Sequence, residues 1–458
     1  MSKIFNVRLP DAFSPEYDPQ KFNQLVRSLE QIVLQLNSAY SPTVTEDKDT
    51  AYAWHGDGGG SMDISGLTIP VSIGGTNTDA FGRLRVSQPY TLFDSQNRYA
   101  ADNQFDVATT GTGTTTFLSN EAAIKMEVTS GGVGSVTRQS FRSFPYQPGK
   151  GLLVLATFVM DSSTSANLTQ SVGYFNASDG VFFKRTGSTN SFVLRSSSTP
   201  TPGTPSDVRT VNQSSWNGDK LDGTGASGLT LDPTKAQILW MDFEWLGVGS
   251  VRCGFIIDGQ YIVCHTFENA NDITSVYMTT AILPVRYSIT TTTSAVAASM
   301  KAICCTVISE GGFEQTSIDH VARRTTVFTN IDTTATFFPI VSIRLASGRT
   351  GAVVLPNRAQ FLPITNQNYE IVLLKNPTLT GAATAISAIG TIVQTDYVTS
   401  SGSAGVSQTS FPNDYNFDLQ LGASLAGVSD IYTLGVRTVD GATKGSGVGS
   451  ISFFDLTQ

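Results

Sequence analysis

The stretch VRCGFIIDGQYIVCHTF, residues 251–267, decides the fold. Asp258-Gly259 supplies the two-residue turn that tight hairpins favour, because both of its central positions must adopt positive φ. Apolar and β-branched residues run outward on both sides, the pattern of two paired antiparallel strands. Counting from the turn, Ile257 faces Gln260, Phe255 faces Ile262 and Cys253 faces Cys264. The cysteines would then be a hydrogen-bonded pair with Cα atoms roughly 5.5 Å apart, which permits a disulfide without requiring one.

Working outward, LLVLATFVM (152–160) is a nearly continuous apolar run, consistent with a strand buried on both faces. Ser171–Phe175, Val181–Lys184, Ser191–Ser196 and Ser299–Ser309 read as further strands. The polar stretch 197–235, with Pro200, Pro202, Pro205 and a glycine-rich 223–228, reads as a long surface loop. Glu310-Gly311-Gly312 and the polar 314–324 mark a boundary. Beyond it, Ile340–Leu345, Gly351–Leu355, Glu370–Lys375, Thr391–Thr395, Phe417–Leu421, Ile431–Val439 and Gly449–Phe454 are strand candidates between Gly, Ser and Pro turns. The expected fold is mainly β: two β-sandwich domains, jelly-roll or concanavalin-like, over 74–312 and 313–458. No fixed-period repeat supports a solenoid or a β-spiral shaft.

Composition agrees with this architecture. Charged residues make up 14% of the 458, against about 25% in an ordinary domain, and there are 42 glycines. The 40% hydrophobic content is enough to fill cores, so the chain is not of the disordered class. With 37 acidic against 29 basic residues and a net charge of −8, no basic stripe exists to displace counterions from nucleic acid. No apolar run approaches the roughly 20 residues of a membrane span. The start, MSKIFNVRLP, lacks the apolar core of a secretory leader, so folding in a cytosol is expected.

Conventional site chemistry is sparse. Cys253, Cys264, Cys304 and Cys305 do not match the CxxC spacing of structural zinc sites, and no metal is expected. His55, His265 and His320 are not accompanied by a GxSxG nucleophile motif. Glycine-rich segments such as Gly445–Gly449 precede strands, not helices, and no phosphate-binding GxxxxGK[ST] occurs, so no cofactor is implied.

The N-terminal region, 1–73, differs from the rest. Asp18 to Asn37, DPQKFNQLVRSLEQIVLQLN, carries a capping Asp18 and then Pro19 at the first helical position. Phe22, Leu25, Leu29, Ile32 and Leu36 fall at a and d of a seven-residue repeat, and Val26 and Val33 widen the stripe. A lone helix of this length is marginal in water, so the stripe is expected to pack on another molecule or a sister chain. Residues 38–73 form a connector, with Pro42 and Gly58-Gly59-Gly60.

One constellation outside the helix carries possible chemistry. In ILWMDFEWLG (238–247), Trp240, Asp242 and Glu244 share one face of a strand, and Met241, Phe243 and Trp245 the other. This resembles the E-x-D-x-E strand of laminarinase-type glycoside hydrolases, which have a concanavalin-like sandwich. The resemblance makes Glu244 the acid/base and Asp242 the residue between, and Trp240 stands where the nucleophile belongs. A retaining mechanism needs two carboxyl groups about 5–5.5 Å apart. With one missing, no enzyme is expected, and the polar face should meet solvent or a neighbouring subunit. Trp240 and Trp245 are then the candidate sugar-binding rings.

Three passages resemble structural proteins of tailed double-stranded DNA phages of the cyanophage and marine-phage type. They are FNQLVRSLEQIVLQLNSAYSP (22–42), DAFGRLRVSQPYTLFDSQ (79–96), and the run from Gly173-Tyr174-Phe175 through SSWNGDKLDGTG and ILWMDFEWLGVGSVRCGFIIDGQY to VISEGG at Gly312. The resemblance implies a virion structural protein made in the host cytoplasm, a tail- or head-attached fibre or adhesin docked through its helix. It also implies a homotrimer whose partners are other virion proteins and a host cell-surface glycan. The alternatives are a capsid decoration or adaptor protein, and a glycan-binding or depolymerase-like protein with a degenerate glycosidase strand. If the stripe mediates association, Leu29→Asp with Ile32→Asp should dissolve oligomers in light scattering and leave the β domains folded; an unchanged oligomer would contradict this.

Overall fold

The computed structural model describes residues 89–458, apart from 294–295, 315, 334–335, 382–383, 401–406, 411–416, 440–443 and 458. The helical stripe of Phe22, Leu25, Val26, Leu29, Ile32, Val33 and Leu36 and its connector lie outside the described residues.

The first half of the described chain yields β1 (Tyr90–Gln96), β2 (Phe105–Gly111), β3 (Gly113–Leu118), β4 (Ala123–Val128) and β5 (Gly134–Ser140). Next come β6 (Leu152–Val159), β7 (Leu168–Phe175), β8 (Gly180–Thr186), β9 (Thr189–Ser196) and β10 (Ser206–Asn212). Then follow β11 (Gln237–Phe243), β12 (Val251–Ile257), β13 (Gln260–Phe267), β14 (Val285–Thr291) and β15 (Ala298–Ser309). One sheet runs β13-β12-β11-β6-β15-β4-β3 with β1 beside β15, and a second runs β10-β9-β8-β7-β14-β5-β2. They pack face to face as a sandwich, for the physical reason that each buries alternate apolar side chains against the other. Phe158 of β6 lies 5.8 Å from Phe183 of β8, and Phe243 of β11 lies 5.7 Å from Tyr174 of β7.

The second half gives β16 (Asp319–Arg323), β17 (Phe328–Ile331), β18 (Phe338–Arg344), β19 (Val354–Pro363) and β20 (Asn368–Lys375). It ends with β21 (Thr391–Thr399), β22 (Ser407–Ser410), β23 (Ile431–Thr438) and β24 (Gly445–Asp455). These make two smaller antiparallel sheets, β16-β24-β19-β22 with β17 on β24, and β18-β23-β20-β21. Phe361, Tyr369, Leu434 and Ile451 fill their core. The described chain is thus nearly all β, in sandwich arrangement.

Several local expectations need correction. The surface loop expected at 197–235 contains β10, a polar edge strand. Besides its backbone ladder to β9, hydrophilic side chains fasten it: Asp207 accepts from Lys184 at 3.0 Å and Arg195 at 2.9 Å, and Ser191 donates to Asn212 at 2.8 Å. A pattern search for apolar alternation passes over such a strand. The polar boundary at 314–324 likewise contains β16. Phe417–Leu421, expected as a strand, begins as a single 3-10 turn over Phe417–Leu419, with Gln420 N–H donating to Phe417 O at 3.0 Å.

The hairpin forms as its turn dictates, with φ of 51° at Asp258 and 76° at Gly259. Ile257 pairs with Gln260 and Phe255 with Ile262, but a bulge then shifts the register, so that Cys253 pairs with His265. The expected Cys253–Cys264 opposition is therefore overturned, and both thiols are free and buried.

The described residues all belong to one compact unit. Val353, Leu355, Phe417 and Leu456, from beyond the first sandwich, belong to the same hydrophobic cluster as Phe144 and Phe243 within it. Phe417 lies edge-on to Phe313 at 5.0 Å and to Tyr90 at 6.1 Å.

His265 also gives the fold a pH response. Burial, and then the charge of Arg209, lower the His265 pKa from 6.5 to about 4. Its Nδ1 accepts from the Asn217 N–H at 3.4 Å, so the neutral ring is the form that fits. The unfolded chain takes up the proton first, so this contribution to stability is complete above pH 6.5 and declines as pH falls towards 4. His265→Gln should flatten the fall of the denaturation midpoint across that window; a slope identical to the parent's would contradict the assignment.

Candidate functional site

Strand β11 is held between β6 and β12. Leu239, Met241 and Phe243 enter the core, as the alternation predicts. The reverse face departs from expectation: Trp240, Asp242 and Glu244 are all 0% exposed, so it does not meet solvent. Two local devices account for Asp242 and Trp240. Asp242 is the cross-strand partner of Arg252, which donates from Nε to Oδ1 at 2.9 Å and from a terminal nitrogen to Oδ2. This two-pronged pairing is what allows a carboxylate to be buried there.

Trp240 sits opposite Gly254. A Cβ on Gly254 would lie 2.8 Å from Trp240 Nε1 and 1.8 Å from Ile262 O. Glycine therefore lets the indole cross β12 and donate to Ile262 O at 3.2 Å. Trp240 presents no ring face for a sugar. Trp245 is half-buried and packs edge-on against Tyr146 at 6.1 Å and 85°.

The structure adds a carboxylate that sequence reasoning missed. Phe243 and Ser309 both pair with Leu152. Each strand is followed by a glutamate, Glu244 and Glu310; the Glu310 N–H donates to Gly151 O at 2.8 Å, and a Cβ on Gly151 would be 2.8 Å from Glu310 Oε2. The two acids are far apart in the chain, so no spacing rule connects them. Glu244 is enclosed all the same, which leaves its carboxyl no approach to a glycosidic oxygen. Burial pushes the Cys253, Cys264 and Cys305 thiols well up from their ordinary range, leaving them protonated and unreactive. Among the described residues, no group of three or more His, Cys, Asp or Glu is placed to hold a metal.

An accessible polar site occurs where the sandwiches meet, as a cleft of about 370 Å³. The first sandwich contributes Asn103, Gln104, Phe141 and Arg142. The second contributes Lys375, Asp418 and Asp430. Arg142 is only 6% exposed and donates to Phe417 O and to Gln104 Oε1, with Asp418 Oδ1 at 3.4 Å. Burial lowers its pKa from the ordinary arginine value, and the Asp418 carboxylate opposes that. Lys375 Nζ lies 3.1 Å from Asp430 Oδ2. Asp430 also accepts from Asn376 at 2.7 Å and from Gly422 N–H at 3.1 Å. Gly422 is required by crowding, because a Cβ would lie 2.9 Å from Phe141 Cβ and 3.1 Å from Asp430 Oδ2. Three more bonds pin the walls: Ala423 N–H to Phe141 O at 2.8 Å, Leu425 N–H to Asp106 at 2.6 Å, and Gln420 to Ser143 O at 2.7 Å.

No protein-family model matches the chain, and no curated protein matches it. Solved structures align with about half of it. The carbohydrate recognition domain of Emp47p aligns at TM-score 0.31 and 9% identity, covering 49% of this chain and 98% of that domain. A protein of unknown function from Shewanella oneidensis MR-1 aligns at 0.30 and 9%, covering 50% and 91%. Arcelin-5, a lectin-like defence protein from Phaseolus vulgaris, aligns at 0.30 and 10%, covering 49% and 99%.

The pairing of Asp242 predicts a stability cost on removing its partner. Arg252→Ala should destabilise the fold by about 3–5 kcal/mol, the cost of stranding a buried charge. Asp242→Asn added to Arg252→Ala should recover part of that loss. Urea unfolding of both variants checks this, and a single variant within about 0.5 kcal/mol of the parent, the scale of an ordinary surface change, would contradict it.

Proposed function

We propose that the chain is a non-enzymatic glycan-binding attachment protein, the adhesin-type component of a tailed-phage virion. The enclosure of the Asp242/Glu244 face carries the reading. Asp242 is neutralised by Arg252 and Glu244 is fully buried, so the strand that resembles a glycosidase serves the fold and not hydrolysis. Binding then falls to surfaces that remain open, and the junction of the two sandwiches supplies a polar one.

The virion assignment rests on the resemblance of residues 22–42, 79–96 and 173–312 to phage structural proteins. The low charge of the chain suits a protein exposed on a particle. On this reading the stripe at 22–36 docks the chain on the particle or on sister copies as a trimer. The β body faces outward to a host glycan.

The test is retention without turnover. The full chain should be retained on immobilised surface polysaccharide of the host and release no reducing ends from it. Release that is lost in Glu244→Gln would overturn the non-enzymatic assignment. Failure to be retained on any host polysaccharide would overturn glycan binding.

A further inference from the structure

We infer that the cleft between the sandwiches is a saccharide-binding site selective for neutral, hydroxyl-rich sugars, with Asp418, Lys375 and Asp430 as hydrogen-bonding groups and Phe141 as the apolar wall. The inference rests on the glycan-binding reading above and assigns it a place and a ligand class. Four observations converge on it.

The first is composition. Nearby, Phe417 meets Tyr90 of the first sandwich ring to ring, yet this cavity is lined mainly by charged and amide groups. Its volume of about 370 Å³ falls within the span of about 300–1,000 Å³ typical of small-ligand sites.

The second is charge balance. Two cations face two carboxylates, paired as Arg142 with Asp418 and Lys375 with Asp430. The charges of the lining residues therefore cancel among themselves. A neutral sugar, whose hydroxyls both donate and accept, matches such a lining.

The third is rigidity. Arg142 is fixed by a backbone carbonyl and an amide, and Asp430 by an amide and a backbone N–H. Groups held in advance lose little freedom when a ligand arrives, which is where weakly hydrophobic ligands gain affinity.

The fourth is access. The Asp418 side chain is 78% exposed and that of Lys375 33%, so their polar ends stand at the mouth of the cleft. Phe141 is half-buried, leaving apolar surface for the C–H face of a pyranose ring.

The experiment uses the full chain on an array of neutral, amino, uronic and sulfated oligosaccharides, followed by calorimetric titration with the best-bound sugar. Asp418→Asn keeps the shape of the cleft and removes a charge. Asn103→Trp fills it from an exposed position of the first sandwich. The expected result is binding confined to neutral sugars, weakened about tenfold or more by Asp418→Asn, the scale of one lost charge-assisted hydrogen bond. Asn103→Trp should abolish it, with the melting temperature of each variant reporting its fold. Should Asn103→Trp misfold, Asp418→Asn decides alone. Neutral-sugar binding unchanged in the folded variants would overturn the cleft assignment and leave the glycan-binding reading standing. Preference for anionic sugars would overturn the ligand class. Absence of all sugar binding would overturn the parent reading together with this one.

Discussion

Phe417 is carried on one short turn of the second sandwich and inserted beside Tyr90 at the edge of the first and Phe313 of the link between them. With Val353, Leu355 and Leu456 it belongs to the larger sandwich's own cluster, so the two modules share a core. Burying a phenylalanine of this kind is worth about 3–5 kcal/mol on the scale of truncation to alanine. That is a large share of the stability of any domain. The same turn presents its backbone carbonyl to Arg142 and its next residue, Asp418, to the Arg142 guanidinium. Apolar packing thereby fixes the polar geometry beside it.

This constraint separates two kinds of polar group in the molecule. On β11, Asp242 is buried under its ion pair and Trp240 is locked over Gly254, and both support a strand at the centre of the first sandwich. At the junction, Arg142 and Asp430 are also buried and braced, but their partners Asp418 and Lys375 reach solvent. The former set has no surface to offer a ligand and the latter does.

Much of the architecture was legible from pattern alone. The Asp258-Gly259 turn, the apolar run of β6 and the alternation of β11 each carry a local signal, and the β-sandwich class follows from their sum. What escaped is non-local or polar. The bulge that moves Cys253 onto His265 leaves no mark in the alternation near the turn. β10 pairs with β9 but is polar along much of its length, with Asp207 tied to Lys184 and Arg195, and so reads as loop. The burial of Asp242 depends on Arg252, which only the sheet register identifies as its partner. The cleft draws on residues from 103 to 430 scattered over several loops and strand ends, so no motif could announce it.

The shared core is tested most directly by calorimetric unfolding of the full chain beside Phe417→Ala. Fused sandwiches unfold together, so the parent should show one β-body transition whose calorimetric and van't Hoff enthalpies agree. Removing the ring should lower and split that transition. Two independent transitions in the parent, or a Phe417→Ala trace that overlays it, would contradict a common core and the rigid junction built on it.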